Sequence, residues 1–393
     1  MIPFPQALET LFGNLPLLGS ERIRIEKAAG RILRQDITAD RDFPPFDRVM
    51  MDGYALRCED LKTTRDFIVI ASAPAGAPMI PLSDNIGACI EVMTGAPLPH
   101  GADCIVPVED TEPRGDGIRI VDAFEAVQGR FVHPSGSDAK HGEPLVMSGT
   151  LLGSREIGVA ASCGAAWVEV TRLPRIVVVA TGDELVAVDE APATHQIRQS
   201  NAHAISAALT RAGYPIISSG CIRDDDETNE SHLRTLLGES DWIILTGAVS
   251  KGARDFVPAL MEVLGCRKLF HGIAQRPGKP AGCWLGPQQQ IIMALPGNPV
   301  SAITGIQTFI LPGLTVSSEM ESTKLRLVTT DESIHGLPGM TWHLPVILSA
   351  SGKVTPAPTG NSGDFIGLLR SDGFITIPPR GEFAAAYRYT PWI

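Results

Sequence analysis

In the second half of the chain, short apolar runs typical of strands alternate with stretches of helical apolar spacing. The runs predict strands at residues 176–180, 215–221, 242–246 and 291–295. The spacing between and after them predicts helices at residues 202–212, 227–237, 256–264 and 300–310. Such alternation favours a parallel, doubly wound sheet, because each crossover helix must pack back onto a face of the sheet. We therefore expect an α/β domain here.

The flanking segments have a different pattern. Short β-type runs between Gly, Pro and Asp turns predict a β-rich domain at residues 44–135. Residues 1–43 and 136–170 mix helical stretches with turns, and we expect them to form one discontinuous N-terminal domain. Further β-type runs at residues 318–393 predict a C-terminal β-barrel-like domain. The predicted fold class is multidomain α/β, with residues 171–317 as the doubly wound central domain.

Length and charge narrow the classes of function. A chain of 393 residues is too long for one ordinary core. The formal net charge is -11, and the sequence has no Lys/Arg-rich run, which argues against nucleic acid or a membrane as the main partner. An anionic ligand would therefore need backbone amides, a few placed cations, or a metal ion held by carboxylates.

The cysteines and the first twelve residues indicate the cellular compartment of the protein. The seven cysteines are scattered without a C-x-x-C pair, which is typical of reduced, mostly buried thiols in a cytosolic protein. Residues 1–12 lack a basic segment before an apolar one, and we find no apolar run near the roughly 18 residues of a membrane span. We expect a cytoplasmic protein.

Three glycine-containing loops are the most informative local feature. They are Thr246 to Gly252, Pro277-Gly278-Lys279-Pro280 and Pro296-Gly297-Asn298-Pro299. Each follows or flanks an apolar run, so we expect all three at strand ends, where backbone N–H groups can face an anion. Asn298 stands where a helix N-cap belongs, and Pro299 at the first helical position.

Two cations belong to the second loop. Arg276 and Lys279 stand beside prolines that restrict the backbone. A cation held in this way can neutralise a bound oxyanion. The alternative is a solvated lysine in an ordinary surface turn.

Acidic residues follow three of the predicted strands. Asp183 and Glu184 follow the first, Asp224 to Asp226 the second, and Asp255 lies beyond the third. A parallel sheet would gather them at its carboxyl edge, where carboxylates beside Gly-rich loops suit Mg²⁺. The structural alternative is that they cap helices and complement the helix dipole. That alternative is weaker for Glu184, which starts no obvious helix.

Several enzyme classes are excluded by missing motifs. The sequence has no G-x-x-x-x-G-K-[ST], G-x-G-x-x-G, H-E-x-x-H or G-x-S-x-G. After Lys279, Pro280 stands where a P-loop needs a hydroxyl. The nine histidines are scattered.

In their order along nearly the whole chain, the motifs resemble those of the MoeA-type molybdopterin molybdenumtransferases, which are similar to the E domain of gephyrin. The matching segments are DFPPF at 42–46, MDGYA at 51–55, MTGAP at 93–97 with GAD at 101–103, GSD at 136–138, TGDEL at 181–185, SN at 200–201, residues 246–255, RPGKP at 276–280 and LPGNPVS at 295–301.

The resemblance implies an enzyme of molybdenum cofactor biosynthesis. Such an enzyme inserts molybdate into adenylylated molybdopterin with Mg²⁺ and releases AMP. The resemblance also implies a homodimer, with the β-rich domain of one subunit facing the α/β domain of the other. Adenylyltransferases and receiving molybdoenzymes are its implied protein partners.

The resemblance also assigns roles to residues. Its implied catalytic residues are Asp183, Asp224 and Lys279, and its implied metal ligands are Glu184 and Asp255. The implied substrate-binding residues are Asp52, Thr94, Asp138, Ser250, Arg276, Pro296, Asn298 and Ser362.

Some positions depart from the family pattern. Val49-Met50 stands where Ser-Ala is usual, Ala248 where a second glycine is usual, and the usual arginine is missing around Trp342-His343. These departures keep two alternatives open. One is a divergent paralogue that binds pterin or a protein partner without catalysis. The other is a transferase that acts on a different nucleotide-linked oxyanion.

Overall fold

The computed structural model describes residues 1–222, 226–247, 249, 256–321, 326–379 and 386–393, with only the backbone for 226–228. In chain order its strands are β1 Ile2–Pro3, β2 Ser20–Arg24, β3 Ile37–Thr38, β4 Arg48–Val49, β5 Gly53–Leu56, β6 Asp66–Ala73, β7 Ala88–Val92, β8 Cys104–Pro107, β9 Thr111–Arg114, β10 Gly117–Ile120, β11 Val132–His133, β12 Pro144–Val146, β13 Trp167–Thr171, β14 Ile176–Thr181, β15 Leu185–Val186, β16 Ile197–Arg198, β17 Ile216–Ile222, β18 Trp242–Thr246, β19 Arg267–His271, β20 Ile273–Arg276, β21 Gly282–Leu285, β22 Ile291–Leu295, β23 Arg326–Val328, β24 Thr341–Leu348, β25 Val354–Pro356, β26 Gly373–Ile377 and β27 Tyr387–Pro391. The α-helices are α1 Phe4–Phe12, α2 Ser154–Ser162, α3 Asn201–Arg211, α4 Asp226–Glu239, α5 Val257–Val263, α6 Pro299–Gly305, α7 Leu311–Ser317 and α8 Phe365–Leu368.

The chain divides into two compact units. The first comprises residues 1–34, 149–153 and 168–393, and the second comprises residues 35–148 and 154–167. The expected multidomain, mixed α/β class is confirmed. The finer division into four domains stays a prediction.

A six-stranded sheet in the first unit has the order β17-β14-β18-β22-β21-β19. Its first four strands are parallel, and β21 and β19 add an antiparallel edge. Those four are the strands that the apolar runs predict, each within one residue of its expected bounds. Three of them, β14, β18 and β22, are almost wholly apolar in sequence because they are buried throughout, whereas the edge strand β17 is largely exposed.

Helices cover both faces of this sheet. Along β14, Ile176 and Val178 pack in one hydrophobic cluster with α1 and α3, whereas Val177 and Val179 pack in another with α4 and α5. The alternation follows from the two-residue period of a strand, which sends successive side chains to opposite faces.

A longer helical stretch than expected follows β22. The helix predicted at 300–310 is α6, which continues through a π-helix at Ile306–Ile310 into α7. The stretch Pro299–Ser317 is therefore long and apolar enough to cross a membrane on length and composition alone, contrary to the expectation from sequence. However, 78% of its most apolar window is buried inside the protein, which is typical of a core helix.

A second sheet in the first unit joins distant parts of the chain. Its strand order is β1-β20-β24-β26-β27-β23, with β25 paired to β24. The C-terminal β-runs are thus present, but they share a sheet with β1 from the start of the chain and β20 from its middle. The barrel-like shape of this region stays a prediction.

The second unit contains a six-stranded sheet with the order β8-β5-β7-β6-β10-β9. Gly53 in β5 allows a close backbone approach, because a Cβ there would lie 2.0 Å from the carbonyl oxygen of Val106. The seven cysteines are free thiols, and five of them are buried, as expected from their scattered positions.

Asp241 ties the start of β14 to the start of β18. Its carboxylate, 12% exposed, accepts hydrogen bonds from the Arg172 guanidinium at 2.7 and 3.0 Å and from the Arg175 backbone N–H at 2.8 Å. Burial by itself would raise the pKa of Asp241, but the hydrogen bonds from Arg172 and Arg175 lower it to about 2. The charged form is therefore the one that stabilises the fold.

We expect Asp241→Asn to lower the free energy of unfolding at pH 7 by about 2 kcal/mol, because both arginines lose their anionic partner. The stability from the lowered pKa is present above the unfolded value near 3.8 and is lost as pH falls toward 2. The difference from wild type should therefore shrink below about pH 4. Urea unfolding of both proteins at pH 7 and pH 3 measures this difference in the free energy of unfolding.

Asp331→Asn, which removes an exposed ion pair with Lys353, is the control and should cost less than about 1 kcal/mol. A difference at pH 3 as large as the one at pH 7 would contradict the assignment.

Candidate active site

The turns after β14, β18 and β22 meet at one edge of the parallel sheet. Gly247, with φ of 107°, makes this possible, because a Cβ there would lie 2.4 Å from the carbonyl oxygen of Thr181. A Cβ on Gly297 would lie 3.7 Å from the Cα of Gly247. The expected gathering of loops at the carboxyl edge is therefore present for these three turns.

Asn201, at the start of α3, fastens two of these turns together. Its side-chain amide donates to the hydroxyl of Thr246 at 3.0 Å and to the carbonyl oxygen of Gly297 at 2.7 Å. The sequence predicts Ser200 or Asn201 as the cap of this helix, and the pair is part of a family motif, but nothing in it predicts a contact with the other turns. A polar residue at the start of a helix is usually interpreted as a cap, so the sequence gives no indication of this long-range contact.

An open cleft of about 720 Å³ lies over this edge and is here called the sheet-edge cleft. Its walls include Thr181, Glu184, Asn201 and Gly247. The Thr181 hydroxyl is buried and has no hydrogen-bond partner among the described residues. Glu184 is exposed on the same wall. Asp183 is also exposed, but it is not among the described residues that line the cleft.

A second cleft of about 430 Å³ adjoins the first and is here called the basic cleft. Arg276 and Lys279 line it, together with side chains from β24 and the 357–362 segment. Pro280, Pro296 and Asn298 belong to the walls of both clefts. The single anion site expected from the loops is thus resolved into two neighbouring clefts with a shared wall.

The loop that carries Lys279 reaches the carboxyl edge of the parallel strands, as expected, but it precedes a strand, because Gly282 at the start of antiparallel β21 pairs with Ala294 near the end of β22. It connects β20 of the seven-stranded sheet to β21 of the six-stranded sheet. Arg276 and Lys279 are exposed, and neither has an ion-pair partner within the described part of the chain. Two exposed cations without a protein counter-ion in one cleft are suited to an anionic ligand.

Asn298 is the N-cap of α6, as predicted, but its side chain does not cap the helix. It donates instead to the hydroxyl of Ser362 at 3.1 Å. The carbonyl oxygen of Ser362 accepts from the free backbone N–H of Val300 at 3.2 Å. The structure therefore brings together Asn298 and Ser362, two residues that the family resemblance proposes for the site.

Three predicted site residues lie in the second unit. Asp52 accepts hydrogen bonds from the backbone N–H and the hydroxyl of Thr94, both at 2.7 Å, and these bonds lower the pKa of Asp52. Asp138 accepts from Nε2 of His133 at 2.8 Å. The Arg48 guanidinium donates to Nδ1 of His133 at 2.9 Å, so Nε2 carries the proton. Asp52 and Asp138 are therefore fixed acceptors.

Asp224, Ser250 and Asp255 lie outside the described residues, so their predicted roles stay predictions. Within the described ranges, no group of three or more His, Cys, Asp or Glu side chains is placed to hold a metal. Of the two predicted metal ligands, only Glu184 is described.

We expect Asn201→Ala to lower the free energy of unfolding by about 1 kcal/mol, because Thr246 and Gly297 lose their shared donor. Thermal unfolding should show a lower melting temperature. Ser200→Ala is the matched control, since the Ser200 side chain makes no capping bond to α3. Equal melting temperatures for the two variants would show that the bridge between the turns adds no stability.

The chain matches known proteins over nearly its whole length. Three family models match it: the MoeA N-terminal region (domain I and II) at residues 2–164, the probable molybdopterin binding domain at 177–316, and the MoeA C-terminal region (domain IV) at 328–386. A molybdopterin molybdenumtransferase of Synechocystis sp. is 34% identical over 96% of both chains. One of Bacillus subtilis is 30% identical over 91% of this chain and 86% of that protein.

Solved structures agree with the sequence matches. The molybdopterin biosynthesis MoeA protein from Pyrococcus horikosii superposes with a TM-score of 0.82 and 29% identity, over 100% of this chain and 99% of that one. Given the sheet-edge loops, the two clefts and these full-length matches, the chain belongs to the MoeA-type molybdopterin molybdenumtransferase family.

Proposed function

We propose that this chain is an active molybdenum insertase that transfers molybdate to adenylylated molybdopterin and releases AMP. The observation that carries the proposal is the pair of adjoining clefts with a shared wall at Pro280, Pro296 and Asn298. One cleft presents a carboxylate, and the other presents two cations without a counter-ion among the described residues. Adenylylated molybdopterin carries a nucleotide at one end and receives an oxyanion at the other. Such a substrate needs an acidic and a basic environment next to each other.

The basic cleft would hold the anionic groups. Lys279 and Arg276 neutralise the charge of molybdate or the pterin phosphate, and the Asn298 and Ser362 side chains offer hydrogen bonds beside them. Ser250 joins this set from the family resemblance alone. Cleavage of a phosphoanhydride depends mainly on charge neutralisation and positioning, so no unusually reactive side chain is required.

The residues of the sheet-edge cleft fit a magnesium ion. Glu184 contributes a carboxylate, and the buried Thr181 hydroxyl contributes an oxygen without a protein partner among the described residues. Mg²⁺ prefers such oxygen ligands and is commonly held by one or two carboxylates plus substrate phosphates. When bound, it supplies positive charge to the phosphate oxygens. Asp183, Asp224 and Asp255 complete the acidic set in this proposal.

The second unit contributes acceptors in this proposal. Asp52, held by Thr94, and Asp138, held by His133, are oriented to accept hydrogen bonds from a pterin or a sugar. We infer a cytoplasmic homodimer in which these residues complete a site of the partner subunit. Sedimentation of the purified protein tests the dimer, and a monomer at every concentration would contradict it.

A specific observation favours the alternative of a non-catalytic binder. The wall of the basic cleft contributed by β24 and the residue before it carries Met340, Trp342 and Pro345, where the family usually offers an arginine. Incubation of purified protein with adenylylated molybdopterin, sodium molybdate and Mg²⁺ distinguishes an active insertase from a non-catalytic binder. Insertase activity predicts molybdate-dependent release of AMP. Tight pterin binding without AMP release, under conditions in which a related active enzyme turns over, would establish the binder instead.

We expect Glu184→Gln to lower the AMP-release rate by roughly tenfold or more and to raise the Mg²⁺ concentration needed for half-maximal rate, because the amide is a poorer metal ligand. The measurement is a Mg²⁺ titration of the initial rate. Asp189→Asn, which changes an exposed carboxylate five residues away that does not line the cleft, is the control and should match wild type. An unchanged Mg²⁺ titration in Glu184→Gln would remove Glu184 from the metal site.

A further inference from the structure

A buried chain of hydrogen bonds runs from β26 to the loop that carries Lys279. His343 in β24 lies at its centre, with Nδ1 3.2 Å from the hydroxyl of Thr376 and Nε2 3.3 Å from Oε1 of Gln275. Gln275 then donates from its amide nitrogen to the carbonyl oxygen of Gly278 at 3.3 Å. His343 and Gln275 are each 1% exposed.

The direction of every bond in this chain is determined. The Gly278 carbonyl can only accept, so the amide nitrogen of Gln275 must face it and the amide oxygen must face His343. Nε2 of His343 therefore carries a proton and donates it. In the neutral ring Nδ1 then accepts from the Thr376 hydroxyl, so each side chain in the series fixes the orientation of the next.

The surroundings of His343 keep it neutral and hold its ring in place. Its ring meets Phe4 at 4.8 Å and Phe374 at 5.4 Å, both in edge-to-face geometry. Burial, and secondarily the charge of Arg388, lower the pKa of His343 to about 3. The ring can therefore serve as a fixed donor and acceptor over the physiological pH range.

The chain of hydrogen bonds ends next to the cations of the basic cleft. Gly278 directly precedes Lys279, and a Cβ at Gly278 would lie 2.7 Å from the Gln275 amide nitrogen. Gln275 itself directly precedes Arg276. Neither cation has an ion pair with a described residue that would fix its position, so their placement depends on the backbone of this loop.

We propose that His343, acting through Gln275, is a positioning residue that fixes the loop carrying Arg276 and Lys279 for oxyanion binding in the basic cleft. The inference deepens the proposed function and rests on it. His343 is in the wall of the basic cleft but only 1% exposed, and among the described residues its side chain is hydrogen-bonded toward the loop through the Gln275 amide. Its effect is therefore on where the cations stand and not on the reacting atoms.

The test replaces the hydrogen bonds and retains the aromatic packing. His343→Phe keeps a ring between Phe4 and Phe374 but can neither donate to Gln275 nor accept from Thr376. We expect its KM for sodium molybdate in the AMP-release assay to rise about fivefold to tenfold, with kcat changed less than about twofold, because one hydrogen bond to the loop is lost. Phe4→Leu disturbs the same aromatic cluster but leaves every donor and acceptor of the hydrogen-bond chain present; it is the control, and its KM should rise less than that of His343→Phe.

A double-mutant cycle separates positioning from general damage. If His343 acts only by placing the loop, His343→Phe raises KM less in the Lys279→Ala background than in wild type, because only Arg276 is left to misplace, and the two effects are not additive. Full additivity, or an unchanged KM in His343→Phe, would overturn the proposal. A Lys279→Ala variant with wild-type molybdate KM would instead contradict the proposed function of the basic cleft.

A readout independent of activity covers the case in which the wild-type protein releases no AMP. Amide hydrogen exchange of the peptide covering residues 272–283 should be faster in His343→Phe than in wild type or Phe4→Leu, since the loop loses its anchor at Gly278. Equal exchange in the three proteins would overturn the positioning role, whatever the chain catalyses.

Discussion

The parallel register of β14, β18 and β22 is the constraint on which the sheet-edge cleft depends. These strands end together, so the turns that follow them are forced to one edge, and glycine at 247 lets the backbones approach more closely than any side chain would permit. Asn201 then locks two of the turns with one amide group. The shape of the cleft is thus set mainly by the backbone of the three turns, and the side chains that line it project from these fixed positions.

Charge is distributed unevenly for a chain of net charge -11. The protein is acidic, yet the basic cleft holds two cations that no described carboxylate neutralises. An acidic surface repels free anions in general, so a local pair of cations beside an acidic cleft favours ligands that can reach both. The shared wall of prolines keeps the two environments apart, because Pro280 and Pro296 allow little backbone movement.

The sequence predicts β14, β18 and β22 well, since their burial on both faces leaves continuous apolar runs with a glycine in the turn after each. It also predicts β17, although that edge strand is largely exposed. The sequence further predicts Glu184, Asn298 and the cationic loop as candidate site residues; they lie in the walls of the two clefts, and their part in ligand binding stays a prediction. It fails for contacts between residues far apart in the chain. Asn298 with Ser362, and Gln275 with His343, depend on which strands become neighbours, and no local pattern of polarity encodes that. For the same reason, the placement of the cationic loop between two sheets was not foreseen.

The seven-stranded sheet has a consequence for how the chain folds as it is synthesised. The parallel strands β14, β18 and β22 are complete once residue 295 has emerged, so the six-stranded sheet can form early. The strand β20 and the loop after it must wait for β24 and β26, which lie up to a hundred residues further along. A nascent chain would therefore form most of the sheet-edge cleft before Arg276 and Lys279 of the basic cleft are in place, so the basic cleft would be among the last parts of this unit to mature.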